Sequence, residues 1–230
     1  MANSRHNYAF LAFFLVKQEE SRIFIYNLLL FVCIGFGLAL GRGSADALLF
    51  KRYGIEYLPI VYIFSAIVLS ISCIFYSSFV DRLSSERFFK YLLGILASSL
   101  LIIGVLMRLV APDWIYPIYY IIYEVASELL LIHAGLYLNQ NLDPIQAKRL
   151  VPLIFGGLQI GVILGGLVLG VIAPIMGVEA IIFIWMIIAI ITGILIAIWH
   201  KIHGVSAFYH SSRKQNLSLS ESIMAGFQGI

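Results

Sequence analysis

The sequence predicts an all-α integral membrane protein built as a bundle of six transmembrane helices. Hydrophobic residues make up 61% of the 230 residues and charged residues only 12%, with a mean hydropathy of +0.98. A soluble domain of this length would have too few polar residues to cover its surface. Six apolar stretches reach the roughly 20 residues that a helical crossing needs. These stretches are continuous rather than alternating, which disfavours the strands of a membrane barrel.

Polar or helix-breaking residues bound each of the six apolar stretches. Pro112 and Asp113 separate the third stretch from the fourth, and Gly177 separates the fifth from the sixth. Together the stretches define a transmembrane domain over residues 23–200. The predicted spans are residues 23–50, 58–80, 88–110, 114–138, 150–175 and 178–199.

Two flanking segments are more polar than this domain. Residues 1–22 contain a Phe-rich stretch followed by Lys17 and two glutamates, without a signal-peptide cleavage site. They predict a segment lying on the membrane surface, with a disordered tail as the alternative. Residues 201–230 predict a cytoplasmic linker and the start of a further helix, because Ser218–Glu221 has capping-box spacing. A helix that starts there would introduce a second half of the protein.

Lysine and arginine are distributed unequally over the two sides of the membrane. With the N-terminus in the cytoplasm, eleven of the 15 basic residues fall on the cytoplasmic side. The positive-inside rule therefore predicts that both termini are cytoplasmic. The four basic residues on the other side are Arg42, Lys51, Arg52 and Arg108.

Two cytoplasmic connections carry notable motifs. The loop after the second span pairs an acidic with a basic residue and adds a further arginine downstream. Asp143–Gln146 has capping-box spacing with a proline in the first turn, and predicts a short basic helix before the fifth span. We expect both connections to take part in conformational change. Their residues are Asp81, Arg82, Arg87, Lys148 and Arg149.

Charged residues inside the predicted spans are the main candidates for function, because each is costly in a membrane unless paired or hydrated. Arg42 and Asp46 lie four residues apart in the first span, and Glu124 and Glu128 in the fourth, so each pair shares a helix face. They predict a polar substrate pathway lined by these two helices, with Glu124 facing an internal cavity near Arg42 or Asp46. Alternatively, Arg42 and Asp46 form an interfacial pair with Arg42 reaching the headgroups. His133 is a minor candidate, more typical of a packed polar residue.

Glycines at four-residue intervals in the fifth span predict a close helix-packing face. They are Gly157, Gly161 and Gly165. We expect this seam to receive a helix from a second transporter half, encoded downstream or supplied by a homodimer mate.

Other function classes find little support in the sequence. A net charge of +3, spread along the chain, gives no case for nucleic-acid binding. Cys33 and Cys73 lie in apolar runs without metal-ligand or disulfide spacing. No metal cluster, nucleophile elbow or phosphate loop occurs in the sequence. We therefore expect neither an enzyme nor a bound cofactor or metal.

Three segments together resemble the ATP/ADP translocase family of plastids and intracellular bacteria: Arg42–Leu48, Tyr123–Ser127 and Asp143–Leu153. The resemblance covers roughly residues 31–199 and implies the N-terminal half of a fold related to the major facilitator superfamily. The loop motif at residues 81–87 also resembles the signature of that superfamily. Nucleotide exchange in a bacterial inner membrane is the activity and location implied.

Carried over to this chain, the resemblance implies that Glu124 is the functional acid of the fourth helix, and that Arg42 and Asp46 belong to the first-helix motif. The family's first-helix lysine is replaced here by Ala45, which predicts a specificity that departs from ATP/ADP exchange. The leading hypothesis is a secondary transporter that moves a polar solute by alternating access, with phosphorylated solutes such as ATP or ADP among the candidates. The alternative is a membrane module that anchors a sensor or regulatory domain, as in looser relatives fused to soluble domains.

Overall fold

The computed structural model describes residues 20–80 and 82–227, with side chains up to Ile202. Over these residues the chain is helical and contains no strand. Each of the six long helices contains a segment long and apolar enough to cross a membrane. The length and composition of the helices thus confirm the prediction of a multi-pass membrane protein. The helices are α1 (Ser21–Tyr53), α2 (Leu58–Val80), α3 (Ser85–Leu109), α4 (Ile115–Asn141), α5 (Pro144–Met176) and α6 (Val178–Phe227).

Helix α1 is the centre of the bundle. It packs against α4, α5 and α6, whereas α2 packs mainly against α4. The two groups of three helices pack in corresponding ways, with α1 matching α4, α2 matching α5 and α3 matching α6. The α1–α5 contact then corresponds to the α4–α2 contact, and the α1–α6 contact to the α4–α3 contact. The α3–α6 contact maps onto itself. The main contacts of the first three helices therefore correspond to those of the last three, except that α5 packs against α6 whereas α2 and α3 hardly touch.

The helix ends explain why the chain turns where it does. Gly54 and Gly177 follow α1 and α5 with φ angles of 77° and 82°, a region that glycine occupies without steric cost. At the end of α3, Ala111 has a φ of 43°, and Pro112 next to it cannot continue the helix. The sequence predicted the breaks at Pro112 and Gly177, but it did not predict those at Gly54 and Ala111.

The glycine seam of α5 is a packing face, as predicted, but its predicted partner is wrong. Helix α1 of the same chain fills it. A Cβ atom at Gly161 would lie 2.9 Å from the backbone nitrogen of Phe36 and would overlap the carbonyl oxygen of Val32, and one at Gly165 would lie 2.6 Å from the carbonyl oxygen of Phe36. Gly157 faces Leu28 in the same way. The seam is thus internal, because α1 and α5 need close backbone approach to each other.

Two predicted boundaries also differ from the structure. No separate short helix precedes the fifth span, because α5 runs unbroken from Pro144 through Pro152. Proline at residue 152 removes the hydrogen bond to the carbonyl of Lys148, an exposed residue, so this group can bond to water. Nor does a linker interrupt the chain after the sixth span: α6 continues to Phe227, and residues 201–227 contain no proline to stop it.

Some predictions fall outside the part of the chain that the structure describes. The interfacial segment predicted for residues 1–22 lies almost entirely there, since description begins at Glu20. Asp81 of the α2–α3 loop lies there as well. The capping box before α5 is inside the described part and is confirmed, with the Asp143 backbone N–H donating to Gln146 Oε1 at 3.2 Å.

Candidate functional site

A cluster of charged side chains joins α1 to α4. Arg42 Nε donates a hydrogen bond to Asp46 Oδ2 at 3.0 Å, and Arg42 Nη1 donates to Glu124 Oε1 at 2.5 Å. Both bonds are charge-assisted and therefore stronger than bonds between neutral groups. The predicted meeting of Glu124 with the Arg42–Asp46 pair is present in the structure. Arg42 thus reaches across to α4 instead of extending alone to the headgroups.

Tyrosines complete the surroundings of the Arg42 guanidinium. Tyr62 of α2 accepts a hydrogen bond from Arg42 Nη2 at 3.1 Å, and Tyr120 donates to the Tyr62 hydroxyl at 3.2 Å. The guanidinium carbon lies 5.7 Å from the ring centroid of Tyr120 and 5.8 Å from that of Tyr123, within the range of cation–π attraction. The cluster therefore draws residues from α1, α2 and α4.

The cluster lies deep in the apolar spans yet remains partly open. At 1.5 Å per residue, Arg42 is roughly 16 Å from the end of α1 and Glu124 roughly 14 Å from the start of α4, close to the middle of a hydrocarbon core about 30 Å thick. The side chain of Arg42 is 42% exposed and that of Glu124 17%. Glu128, one turn further along α4, is exposed and makes no hydrogen bond or ion pair with the described residues.

Behind the charges, a buried layer fixes α1 against α4 and α6. The Ser44 hydroxyl lies 2.6 Å from the Tyr119 hydroxyl, and both residues are fully buried. Gly41 faces the rings of Trp185 and Tyr123, where an added Cβ would lie only 2.9 Å from either ring. The close approach at Gly41 and the Ser44 bond hold α1 in place, and Arg42 is carried on its more open face.

Ala45 occupies the position where the resemblance expects a lysine. Its side chain is fully buried, so a lysine there would have to bury its ammonium group among the helices, at high cost. Two buried oxygens near this level have no hydrogen-bond partner among the described residues: Asp46 Oδ1 and Ser65 Oγ. The cluster therefore retains unused acceptor capacity, while its single guanidinium is already shared between two carboxylates.

The predicted conformational residues do not form one group. Arg82 and Arg87 are exposed in and after the α2–α3 loop, and Lys148 is exposed near the start of α5. Arg149 instead reaches the N-terminus of α1, where its Nη2 donates to Glu20 Oε2 at 2.5 Å. That bond ties α5 to α1 on the same side of the bundle as the α2–α3 loop.

His133 is a packed polar residue, as its sequence context favoured. It is fully buried and donates from Nε2 to the backbone carbonyl of Ser85 at 2.7 Å. Because that carbonyl can only accept, Nδ1 of the neutral ring is left to accept from the Tyr76 hydroxyl at 3.0 Å. His133 therefore connects the ends of α2 and α3 to α4.

Sequence reasoning missed several polar contacts between helices. Tyr62 lies in an apolar run without a distinguishing pattern, whereas Tyr120 could have been found from its position four residues before Glu124. Glu86 of α3 accepts from Lys90 Nζ at 2.6 Å and pairs with His200 Nδ1 of α6 at 2.7 Å. The Glu86–Lys90 spacing was visible in the sequence, but the distant histidine was not.

Comparison with protein families, curated proteins and solved structures gave no significant match. The described residues contain no group of three or more histidine, cysteine, aspartate or glutamate side chains able to hold a metal ion.

Proposed function

We propose that this chain forms one half of a secondary transporter related to the major facilitator superfamily, and that its solute pathway passes the Arg42 cluster. One observation carries the proposal. Arg42, Asp46, Glu124 and Glu128 lie within membrane-spanning helices and remain accessible at the surface of the bundle. Charged side chains at this depth cannot face lipid without a large cost. A hydrated pathway is the surrounding that suits them best.

The packing pattern supports the transporter architecture. Two successive three-helix units have opposite orientation in the membrane, because each contains an odd number of crossings. Such inverted 3+3 repeats are typical of the six-helix halves of major facilitator proteins. Helices α2 and α5, which correspond to each other under the exchange, are also the least buried of the six. Their open faces are the surfaces where a second half, downstream or from another copy, would pack.

The charges of the cluster constrain the solute. Three acidic side chains (Asp46, Glu124 and Glu128) lie at this wall beside one guanidinium, so the wall does not by itself attract a polyanion. The nucleotide that the ATP/ADP translocase resemblance suggests would need cations from the second half. We therefore propose a polar solute that bonds to carboxylate and tyrosine oxygens at this wall, with nucleotides as the phosphorylated candidates.

The experiment is solute counterflow in proteoliposomes that contain the full-length protein, using ATP, ADP and a panel of polar solutes. Glu124→Gln should reduce flux of the transported solute at least tenfold, because the variant removes a charge that the pathway needs. Glu179→Gln is the matched control, since Glu179 is exposed at the start of α6. Equal flux in the wild type and Glu124→Gln would refute the pathway, provided that both proteins insert equally.

A second candidate is a membrane anchor for a regulatory domain. Helix α6 favours it, because the helix continues past the end of its apolar segment at Ile202 as far as Phe227. Such an extension could connect the bundle to a soluble domain. An anchor would tolerate Glu124→Gln without loss of any solute flux, so the counterflow experiment separates the two candidates.

We also propose that both termini lie in the cytoplasm of a bacterium and that the bundle spans its inner membrane. The described cytoplasmic-side residues Arg22, Arg82, Arg87, Lys148 and Lys201 are exposed, consistent with the positive-inside rule. Reporter fusions test the orientation. A cytoplasmic reporter at the end of α6 should be active, and an exported phosphatase at the same site should be inactive.

A further inference from the structure

An apolar cleft opens between α2, α3 and α4. Its volume is about 520 Å³, within the 300–1,000 Å³ range of ligand sites. Phe88, Leu96 and Leu130 form buried parts of its wall, while Phe75 and Tyr91 are more than half exposed at its edges. Arg42, Asp46, Glu124 and Glu128 do not line it. The cleft is therefore a separate feature from the proposed solute pathway.

The length and position of the cleft match one leaflet of a bilayer. Along α2 its wall extends from Val68 to Phe79, roughly 16 Å at 1.5 Å per residue. That is about half of a hydrocarbon core of roughly 30 Å. Phe79 is one residue before the end of α2, so the cleft begins beside the α2–α3 loop and ends near the middle of the membrane.

Two exposed arginines lie at the loop end of the cleft. Arg82 follows Phe79 by three residues, and Arg87 precedes Tyr91 by four, which places Arg87 on the same face of α3 as Tyr91. Both arginines are exposed and form no ion pair with a described residue. Lys90 differs, because Glu86 pairs with it at 2.6 Å. The two arginines are thus exposed at headgroup depth.

We propose that the cleft binds one anionic phospholipid. One acyl chain lies against the apolar wall, and the phosphate group bonds to Arg82 and Arg87. Arginine matches phosphate geometry through paired N–H donors. A helix of a second subunit could cover the apolar wall, but an anionic lipid covers it and also brings an anion to the two arginines at the loop end. This proposal does not rest on solute transport, but it requires that a second half packed on α2 leave the cleft open.

Native mass spectrometry of the purified full chain in detergent tests the proposal, with phosphatidylglycerol and phosphatidylcholine of identical acyl chains as probes. Each arginine attracts an anionic headgroup, so the two together should bind phosphatidylglycerol roughly 10–30-fold more tightly than phosphatidylcholine. Arg82→Gln/Arg87→Gln should abolish this preference. The matched control, Arg22→Gln/Lys201→Gln, removes two exposed charges on the same side of the membrane and should retain it.

The apolar wall is tested separately. Ile95 is exposed and lines the cleft, so Ile95→Trp should fold normally and weaken the binding of both lipids by filling the space. Soluble glycerol phosphate at millimolar concentration should not displace the lipid, because it lacks the acyl chain. Equal affinity of the wild type for both lipids would overturn the proposal. So would an equal loss of preference in the control pair, unchanged binding in Ile95→Trp, or displacement by glycerol phosphate.

Discussion

The seam between α1 and α5 makes a quantitative prediction for a pair of glycine-to-alanine variants in one helix. At Gly161, a new Cβ would lie 2.9 Å from the backbone nitrogen of Phe36 and would overlap the Val32 carbonyl, whereas at Gly166 nothing lies within 4 Å. The contacted atoms belong to the backbone, so α1 must move as a unit. Overpacking of this kind costs about 1–3 kcal/mol. Alanine also gains about 0.5–1 kcal/mol of helix propensity at each position.

Because both glycines lie inside α5, the propensity gain cancels when the two variants are compared. We expect Gly161→Ala to be about 1–3 kcal/mol less stable than Gly166→Ala. The measurement is the free energy of unfolding from an SDS titration of each protein in mixed micelles, followed by circular dichroism. A difference below about 0.5 kcal/mol, the usual limit of surface effects, would refute the close backbone contact between α1 and α5.

Three further predictions use the same unfolding assay. Tyr119→Phe should cost about 0.5–1.5 kcal/mol, since it removes the buried hydrogen bond to Ser44; an unchanged protein would show that the bond is absent. His133→Leu should cost about 1–3 kcal/mol, because it leaves the partly buried Tyr76 hydroxyl and Ser85 carbonyl without their partner, and it should speed proteolysis of the α2–α3 loop. The double variant Asp46→Asn/Glu124→Gln should lose more stability than the two single variants together, by about 0.5–3 kcal/mol, and additive losses would contradict shared pairing.

The sequence predicted the helices better than their ends. Continuous apolar runs identified the six crossings, because the length and hydrophobicity of a membrane-spanning helix can be read from its own residues without knowing which helices pack against it. The polar stretch after Ile202 misled the prediction, since a low apolar content does not stop a helix that contains no proline. Pro152 misled it for the opposite reason. A single proline was expected to separate two helices, but its lost hydrogen bond lies at an exposed position where water can replace it.

Contacts between helices were predictable only where residue spacing, or the free-energy cost of an isolated charge in the membrane, pointed to them. The charges of Arg42 and Glu124 had to find partners because isolated charges at this depth are costly, so their meeting could be anticipated. The glycine seam also had to receive a helix, but no local pattern shows which one. Tyr62 could not be anticipated at all, because a tyrosine in an apolar span is compatible with lipid, packing or hydrogen bonding.

The charge balance around Arg42 links the stability of the bundle to its proposed chemistry. One guanidinium is shared by Asp46 and Glu124 at 3.0 and 2.5 Å. Removing either carboxylate leaves a complete ion pair, whereas removing both leaves a cation without a counter-charge deep in the membrane. The same reasoning applies to a ligand. Arg42 has five N–H donors, and the structure uses three of them, for Asp46, Glu124 and Tyr62. An anionic solute can therefore approach the remaining N–H groups, but it meets the negative charge of two carboxylates, and its other contacts must offset that repulsion.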